Sequence, residues 1–159
     1  MCLVYGYEQL GIFTVVCVMI IALGSDHGGF HTKQEIIKWI KQEKIASHMD
    51  FGTHSNESCD YPDFAKSVCD DVAAGKSHMG ILICGTGIGM SMVANRNPLI
   101  RAGLCKDVET ARLTRQHNNA NVLCLGARVT DPFWIINIVD AFLNTEFEGG
   151  RHQGRIDKL

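Results

Sequence analysis

Met79-Gly-Ile-Leu-Ile-Cys-Gly-Thr-Gly-Ile-Gly-Met-Ser-Met-Val-Ala94 decides the fold. Its first part, Met79 to Ile83, is a short apolar run that reads as a buried strand ending in Cys84. Three glycines follow within five residues, and Met90 onward can start a helix. A glycine-rich turn between a strand and a helix presents backbone N–H groups to an anion. A thiol at the lip of such a turn has its thiolate favoured, and its pKa is expected to fall from about 8.5. An anion hole beside a thiolate suits proton abstraction or attack on a carbonyl. A buried strand-end cysteine is the plainer reading, and Cys105 and Cys124 fit that one.

The same alternation runs outward from this stretch. Ile20 to Gly24 reads as a first strand, and Phe30 to Lys44 as a helix with Phe30, Ile36, Ile37 and Ile40 on one face. Ile45 to Phe51 is a weaker second strand. Pro62 sits in the first turn of a helix reaching about Gly75. After the central turn and its helix, Asn97-Pro98 is a breaker and Ile100 to Cys105 a fourth strand. Asp107 caps a helix through about Gln116, Val122 to Leu125 is a fifth strand, and Asp131-Pro132 starts a last helix to about Leu143. Strands separated by helices imply a parallel sheet covered on both faces. The expected fold is α/β, a three-layer αβα Rossmann-like sandwich on a five-stranded parallel sheet. One domain spans 19–159, and 1–18 form an N-terminal extension with no assigned role.

Composition narrows the function classes. The chain has 159 residues, 46% hydrophobic and 20% charged, with a net charge of −2. No basic block points to nucleic acid. Gly11 to Leu23 is apolar, but it supplies neither a membrane span nor a signal peptide. The seven cysteines form no CxxC pair, which argues for free thiols in a reducing, cytoplasmic setting.

In parallel sheets ligands bind beyond the carboxyl ends of the strands. Ser25-Asp-His-Gly-Gly29, the Cys84 turn and Arg128 fall at that edge. Arg115-Gln-His-Asn118, placed after the fourth helix, is a further polar run whose reach depends on packing. Each has a plain alternative. Asp26 could cap a helix, the glycines could form a simple tight turn, and Arg115 to Asn118 could be a solvated helix end. Arg151 and Arg155 would share a helix face and grip a phosphate, or they form an ordinary basic terminus. His27 and His31 lack a third metal ligand, so no metal is expected.

Together, Gly24-Ser-Asp-His-Gly-Gly-Phe30, Asp60-Tyr-Pro62, the Gly80–Ser91 stretch, Ala94-Asn95, Arg115-Gln-His-Asn118, Asn121-Val-Leu123, Gly126-Ala-Arg128 and Phe147-Glu-Gly-Gly-Arg-His152 resemble the ribose-5-phosphate isomerase B family. Galactose-6-phosphate and allose-6-phosphate isomerases share its superfamily. The resemblance runs from about Met19 to the end. Residues 1–18 lie outside it, and the tail ends four residues after Arg155, short of a longer family-type C-terminal helix.

The resemblance implies a cofactor-free aldose–ketose isomerase of the pentose phosphate pathway acting on a sugar phosphate. It also implies a homodimer with composite active sites, with further pairing into a tetramer left open. Some members use a glutamate base, whereas this chain has Cys84 at the thiol position and resembles the cysteine-base subgroup. In that scheme Cys84 moves the proton between C2 and C1. The amides of Gly85, Gly87, Ile88 and Gly89 stabilise the enediolate, and Thr86 relays protons between the oxygens. His117 opens the furanose with help from Asp26. Tyr61 and Asn118 contact hydroxyls, and His27, Arg128, Arg151 and Arg155 hold the phosphate. A six-carbon phosphosugar isomerase, a non-catalytic sugar-phosphate binder and a thiol redox protein are the alternatives.

Overall fold

The computed structural model describes the backbone of residues 2–7 and 12–17 and all of residues 19–159. Strands β1 (Cys2–Tyr7) and β2 (Ile12–Cys17) pair antiparallel as a separate two-stranded sheet. The sequence reading left this segment without structure. Met1, 8–11 and Val18, the rest of that extension, lie outside the described residues.

The main sheet contains β3 (Ile20–Ser25), β4 (Ser47–Asp50), β5 (Met79–Cys84), β6 (Ala102–Leu104) and β7 (Val122–Gly126). Its order is β4-β3-β5-β7-β6, and all pairings are parallel. The three inner strands are buried along nearly their whole length, as strands covered on both faces must be. Helices α1 (Phe30–Glu43), α4 (Val108–Asn118) and α5 (Pro132–Asn144) cover one face, around Ile21, Leu23, Ile81, Ile83, Leu123 and Leu125. Helices α2 (Tyr61–Ala73) and α3 (Ile88–Ala94) cover the other, around Ala22, Leu82, Val122 and Cys124. The expected three-layer α/β architecture is borne out. No helix of the described residues is long and apolar enough to cross a membrane.

Local chemistry sets the element ends. Asp107 accepts from the Thr110 amide at 2.7 Å, and the Thr110 hydroxyl takes the Asp107 N–H, closing a capping box on α4. Asp131 accepts from the Phe133 amide at 2.9 Å, with Pro132 in the first turn of α5.

Three sequence expectations change. The fourth strand of the sheet, β6, is three residues long rather than Ile100 to Cys105. Side-chain amides take the place of ladder bonds there. Asn95 both donates to and accepts from the Ala102 backbone, and Asn121 does the same for Leu99 and Arg101. These bonds also blunt the sheet edge. Second, α4 continues to Asn118, so Arg115, His117 and Asn118 form its last turn instead of following it. Asn119 ends the helix in the left-handed conformation, φ 46°. Third, the buried face of α1 includes Lys33, which is fully buried and ion-paired with Asp50 at the end of β4.

Candidate active site

Loops after β3, β5 and β7 converge at the carboxyl edge of the sheet. Main-chain bonds knit them together. The Asp26 amide donates to the Ile83 carbonyl at 3.2 Å, Ala127 to Cys84 at 2.8 Å, and Arg128 to Gly85 at 2.9 Å. The β3 loop leads to a helix on one face of the sheet and the β5 loop to a helix on the other. The crevice between them is therefore a topological switch point.

Glycines make this approach possible. A Cβ on Gly29 would lie 2.5 Å from the Ile83 carbonyl oxygen, so only glycine lets the β3 loop sit on β5. Gly87 has φ +76°, and a Cβ there would meet Leu104 and the Leu125 backbone below 3.0 Å.

Cys84 lies at the floor of the crevice, 5% exposed. The Gly87 amide donates to its sulfur at 3.1 Å. Burial pushes the Cys69 thiol up to about 12 and the Cys105 thiol up to about 11, and it raises Cys124 well above the ordinary thiol range. Thr86 is exposed on the turn, and its hydroxyl accepts from the Ile88 amide at 3.4 Å.

The remaining carboxyl-edge groups surround this turn. Asp26 is buried, and its carboxylate accepts from the Gly29 amide at 3.1 Å. It closes its own turn and does not cap α1. A Cβ on Gly28 would lie 3.2 Å from Asp26 Oδ1, 3.2 Å from Gly85 N and 3.3 Å from Arg128 Nη2, so these three groups ring one point. His27 Nδ1 accepts from the Cys59 amide at 3.3 Å, which leaves Nε2 as the donor of the neutral ring. The Tyr61 ring covers Gly89, where a Cβ would lie 2.7 Å from its Cζ.

His117, Asn118, Arg151 and Arg155 are not in this group. Helix α4 runs antiparallel to the strands, and its last turn lies at the amino end of β7. There Arg101 donates to the Asn118 and Asn119 carbonyls. Val122 starts β7 at that edge, and Gly126, the register partner of Cys84, ends it. Four strand steps, roughly 13 Å, separate the two edges within one chain. The sequence left the reach of Arg115 to Asn118 to packing, and packing carries their turn to the amino edge. Antiparallel return helices deliver their C-termini to the edge opposite the strand ends.

A second polar group forms at the amino edge. His117 stacks on His152, with ring centroids 4.4 Å apart and an interplanar angle of 8°. His152 is buried, and its imidazole is held below its ordinary range by desolvation, then by His117, Arg151 and Arg155. Arg151 belongs to the 3₁₀ turn Gly150–His152 and Arg155 to α6 (Gln153–Ile156), so the two do not sit on one regular helix. Both arginines are exposed. A cavity of about 310 Å³ is lined by His117, Asn118, His152, Arg155, Ile156 and Leu159.

Arg115 serves the fold instead. It donates to the Thr145 carbonyl, to the Ala120 carbonyl and to Asn119. Sequence reasoning missed Cys59 as the partner of His27 because the pair lies 32 residues apart. It also missed Glu148 and His152 beside His117, which no local spacing announces.

The sequence profile of the Ribose/Galactose Isomerase family matches residues 21–159. Ribose-5-phosphate isomerase B of Escherichia coli is 45% identical over 139 residues, covering 87% of this chain and 93% of that protein. The structure of ribose-5-phosphate isomerase B from Clostridium thermocellum superposes with a TM-score of 0.86 at 48% identity, over 88% of this chain and 94% of the other. That of the Mycoplasma genitalium enzyme with bound ribulose-5-phosphate gives 0.84 at 45% identity, over 88% and 93%. An apolar parallel sheet, a thiol-bearing glycine turn at its switch point and these likenesses lead to one statement: the chain is an isomerase of the Ribose/Galactose Isomerase family.

Proposed function

We propose that the chain interconverts ribose 5-phosphate and ribulose 5-phosphate through an enediolate, as a cytoplasmic enzyme of the pentose phosphate pathway. The observation that carries this is the Cys84 sulfur held against the Gly87 amide beside Thr86, at the carboxyl edge. The proton to be moved is α to a carbonyl. It needs a positioned base and donors for the developing oxyanion.

Cys84, as thiolate, takes the C2 proton and returns it at C1. The amides of Gly85, Gly87, Ile88 and Gly89 stabilise the enediolate, and Thr86 passes a proton between O1 and O2. Asp26 assists ring opening, and Tyr61 contacts a hydroxyl. His27 and Arg128 bind the phosphate, whose binding energy positions the distant reacting carbons.

His117 is the acid for ring opening, Asn118 a second hydroxyl contact, and Arg151 and Arg155 further phosphate ligands. They lie at the opposite edge of their own chain, so a second copy supplies them. The working unit is then a homodimer with two composite sites.

The test is isomerisation of ribose 5-phosphate beside allose 6-phosphate and galactose 6-phosphate. Ribose 5-phosphate should be the preferred substrate, and Cys84→Ala should lower kcat by about 10²–10⁴-fold while substrate binding persists. Preference for a six-carbon substrate overturns the substrate assignment. Wild-type turnover in Cys84→Ala removes Cys84 as the base.

A further inference from the structure

We propose that His117, Glu148 and His152 form a binding site for a divalent transition-metal ion, and that an ion seated there switches off the isomerase by occupying His117. The second half rests on the assignment of His117 as the ring-opening acid.

One ligand atom from each of the three residues lies within 4.8 Å of the others, and no other group of three among the described residues does so. His152 Nε2 is 3.6 Å from Glu148 Oε2. The backbone holds the set in place. The Glu148 amide donates to the Gln116 carbonyl at 3.1 Å, which fastens the Glu148 backbone beside the last turn of α4. His152 is buried, His117 half-buried and Glu148 exposed. The two rings stack face to face, so their in-plane nitrogen lone pairs run side by side, and the half-buried His117 ring must turn out of the stack for both to meet at one ion.

Two imidazoles and one carboxylate form the donor set of open zinc sites, with the fourth position facing a cavity. Here that cavity is the 310 Å³ pocket lined by His117, His152 and Arg155. Metal–ligand bonds of about 2.0–2.2 Å require the donors to close by roughly an ångström. The turn of the His117 ring and the exposed Glu148 side chain together supply that movement. Nitrogen-rich donors favour zinc, cobalt or nickel over magnesium and calcium. Arg151 donates to His152 Nε2 at 3.5 Å and must swing away, and with Arg155 it then favours an anion on the fourth position.

Cobalt(II) is the probe, because its visible spectrum separates imidazole and carboxylate ligation from thiolate ligation. Titration of the metal-free protein should give one cobalt per chain with no thiolate charge-transfer band. Glu148→Gln alters an exposed side chain and His152→Asn a ligand, and each should weaken binding at least about tenfold. The same cobalt should inhibit isomerisation, reversibly on chelation. Glu148→Gln should keep the metal-free rate and escape inhibition. No cobalt spectrum at millimolar metal, a thiolate spectrum, or unchanged affinity in both variants overturns the site. Binding with the expected variant losses but an unaffected rate keeps the site and overturns the inhibition, and with it the acid role of His117.

Discussion

Replacing Asp50 should destabilise the protein far more than replacing Lys33, although the two form one ion pair. Lys33 is fully buried and Asp50 is 22% exposed at its side chain. In Asp50→Asn a buried ammonium loses its counter-charge, which costs about 3–5 kcal/mol in buried pairs. The partly open carboxylate end lets water approach, so the lower value, about 3 kcal/mol, is expected. Against a typical total of roughly 5–15 kcal/mol this is a large fraction. It corresponds to a fall in Tm of roughly 6–12 °C. Lys33→Met removes the charge and refills its volume. Asp50 then keeps the Gly52 amide at 3.0 Å and its exposure to water, so the cost should be about 1 kcal/mol. Asp50→Asn/Lys33→Met should lie close to Lys33→Met. Urea denaturation followed by circular dichroism measures all three. Equal costs for the two single variants, or an Asp50→Asn cost below about 1 kcal/mol, would refute the buried-charge argument.

The same pair fixes an acid limb. Burial acts to raise the Asp50 carboxyl, but hydrogen bonds from Lys33 and Gly52 outweigh it and hold it below the usual carboxylate range. A lowered folded pKa means the pair contributes fully above the unfolded value of about 3.9, and the contribution is lost as pH falls through the folded value. Below about pH 4 the wild type should therefore lose its advantage over Asp50→Asn, measured as converging urea midpoints. Gly29→Ala would place a Cβ 2.5 Å from the Ile83 carbonyl oxygen, against backbone that cannot yield. It should cost about 1–3 kcal/mol or more in the same urea assay, and a cost under 0.5 kcal/mol would contradict the close approach. Asp107→Ala breaks the α4 capping box and should cost about 1 kcal/mol with KM unchanged. Arg128→Ala should raise KM while the turn stands, because the Arg128 main chain, not its side chain, holds Gly85. An unchanged KM would discard its phosphate role.

What the sequence made legible was what local chemistry decides. The apolar run into Cys84, the Asp107 cap three residues from Thr110 and Pro132 at the start of α5 each carry their signal within a few positions. Lys33 shows where that stops. It falls on the same helical face as Phe30, Ile37 and Ile40, so periodicity buries it. Its polar identity hid this, and its partner Asp50 lies 17 residues away. The length of β6 depended on Asn95 and Asn121, whose side chains imitate a neighbouring strand. The polar residues of the last turn of α4 read as a run at or beyond the helix end because nothing apolar marked them. The stack of His117 on His152 joins two segments that only the fold brings together.

The position of Cys84 and His117 at opposite edges of the sheet has a genetic consequence. A chain disabled in one residue still carries the other intact. Chains with Cys84→Ala and chains with His117→Ala should each be nearly inactive alone. Unfolded together and refolded one-to-one, they should regain about a quarter of wild-type activity if the proposed homodimer is the working unit, because random pairing makes half the dimers mixed and each mixed dimer then holds one complete site of two. Lesions in the two halves of this short gene would complement each other as lesions in two separate genes do.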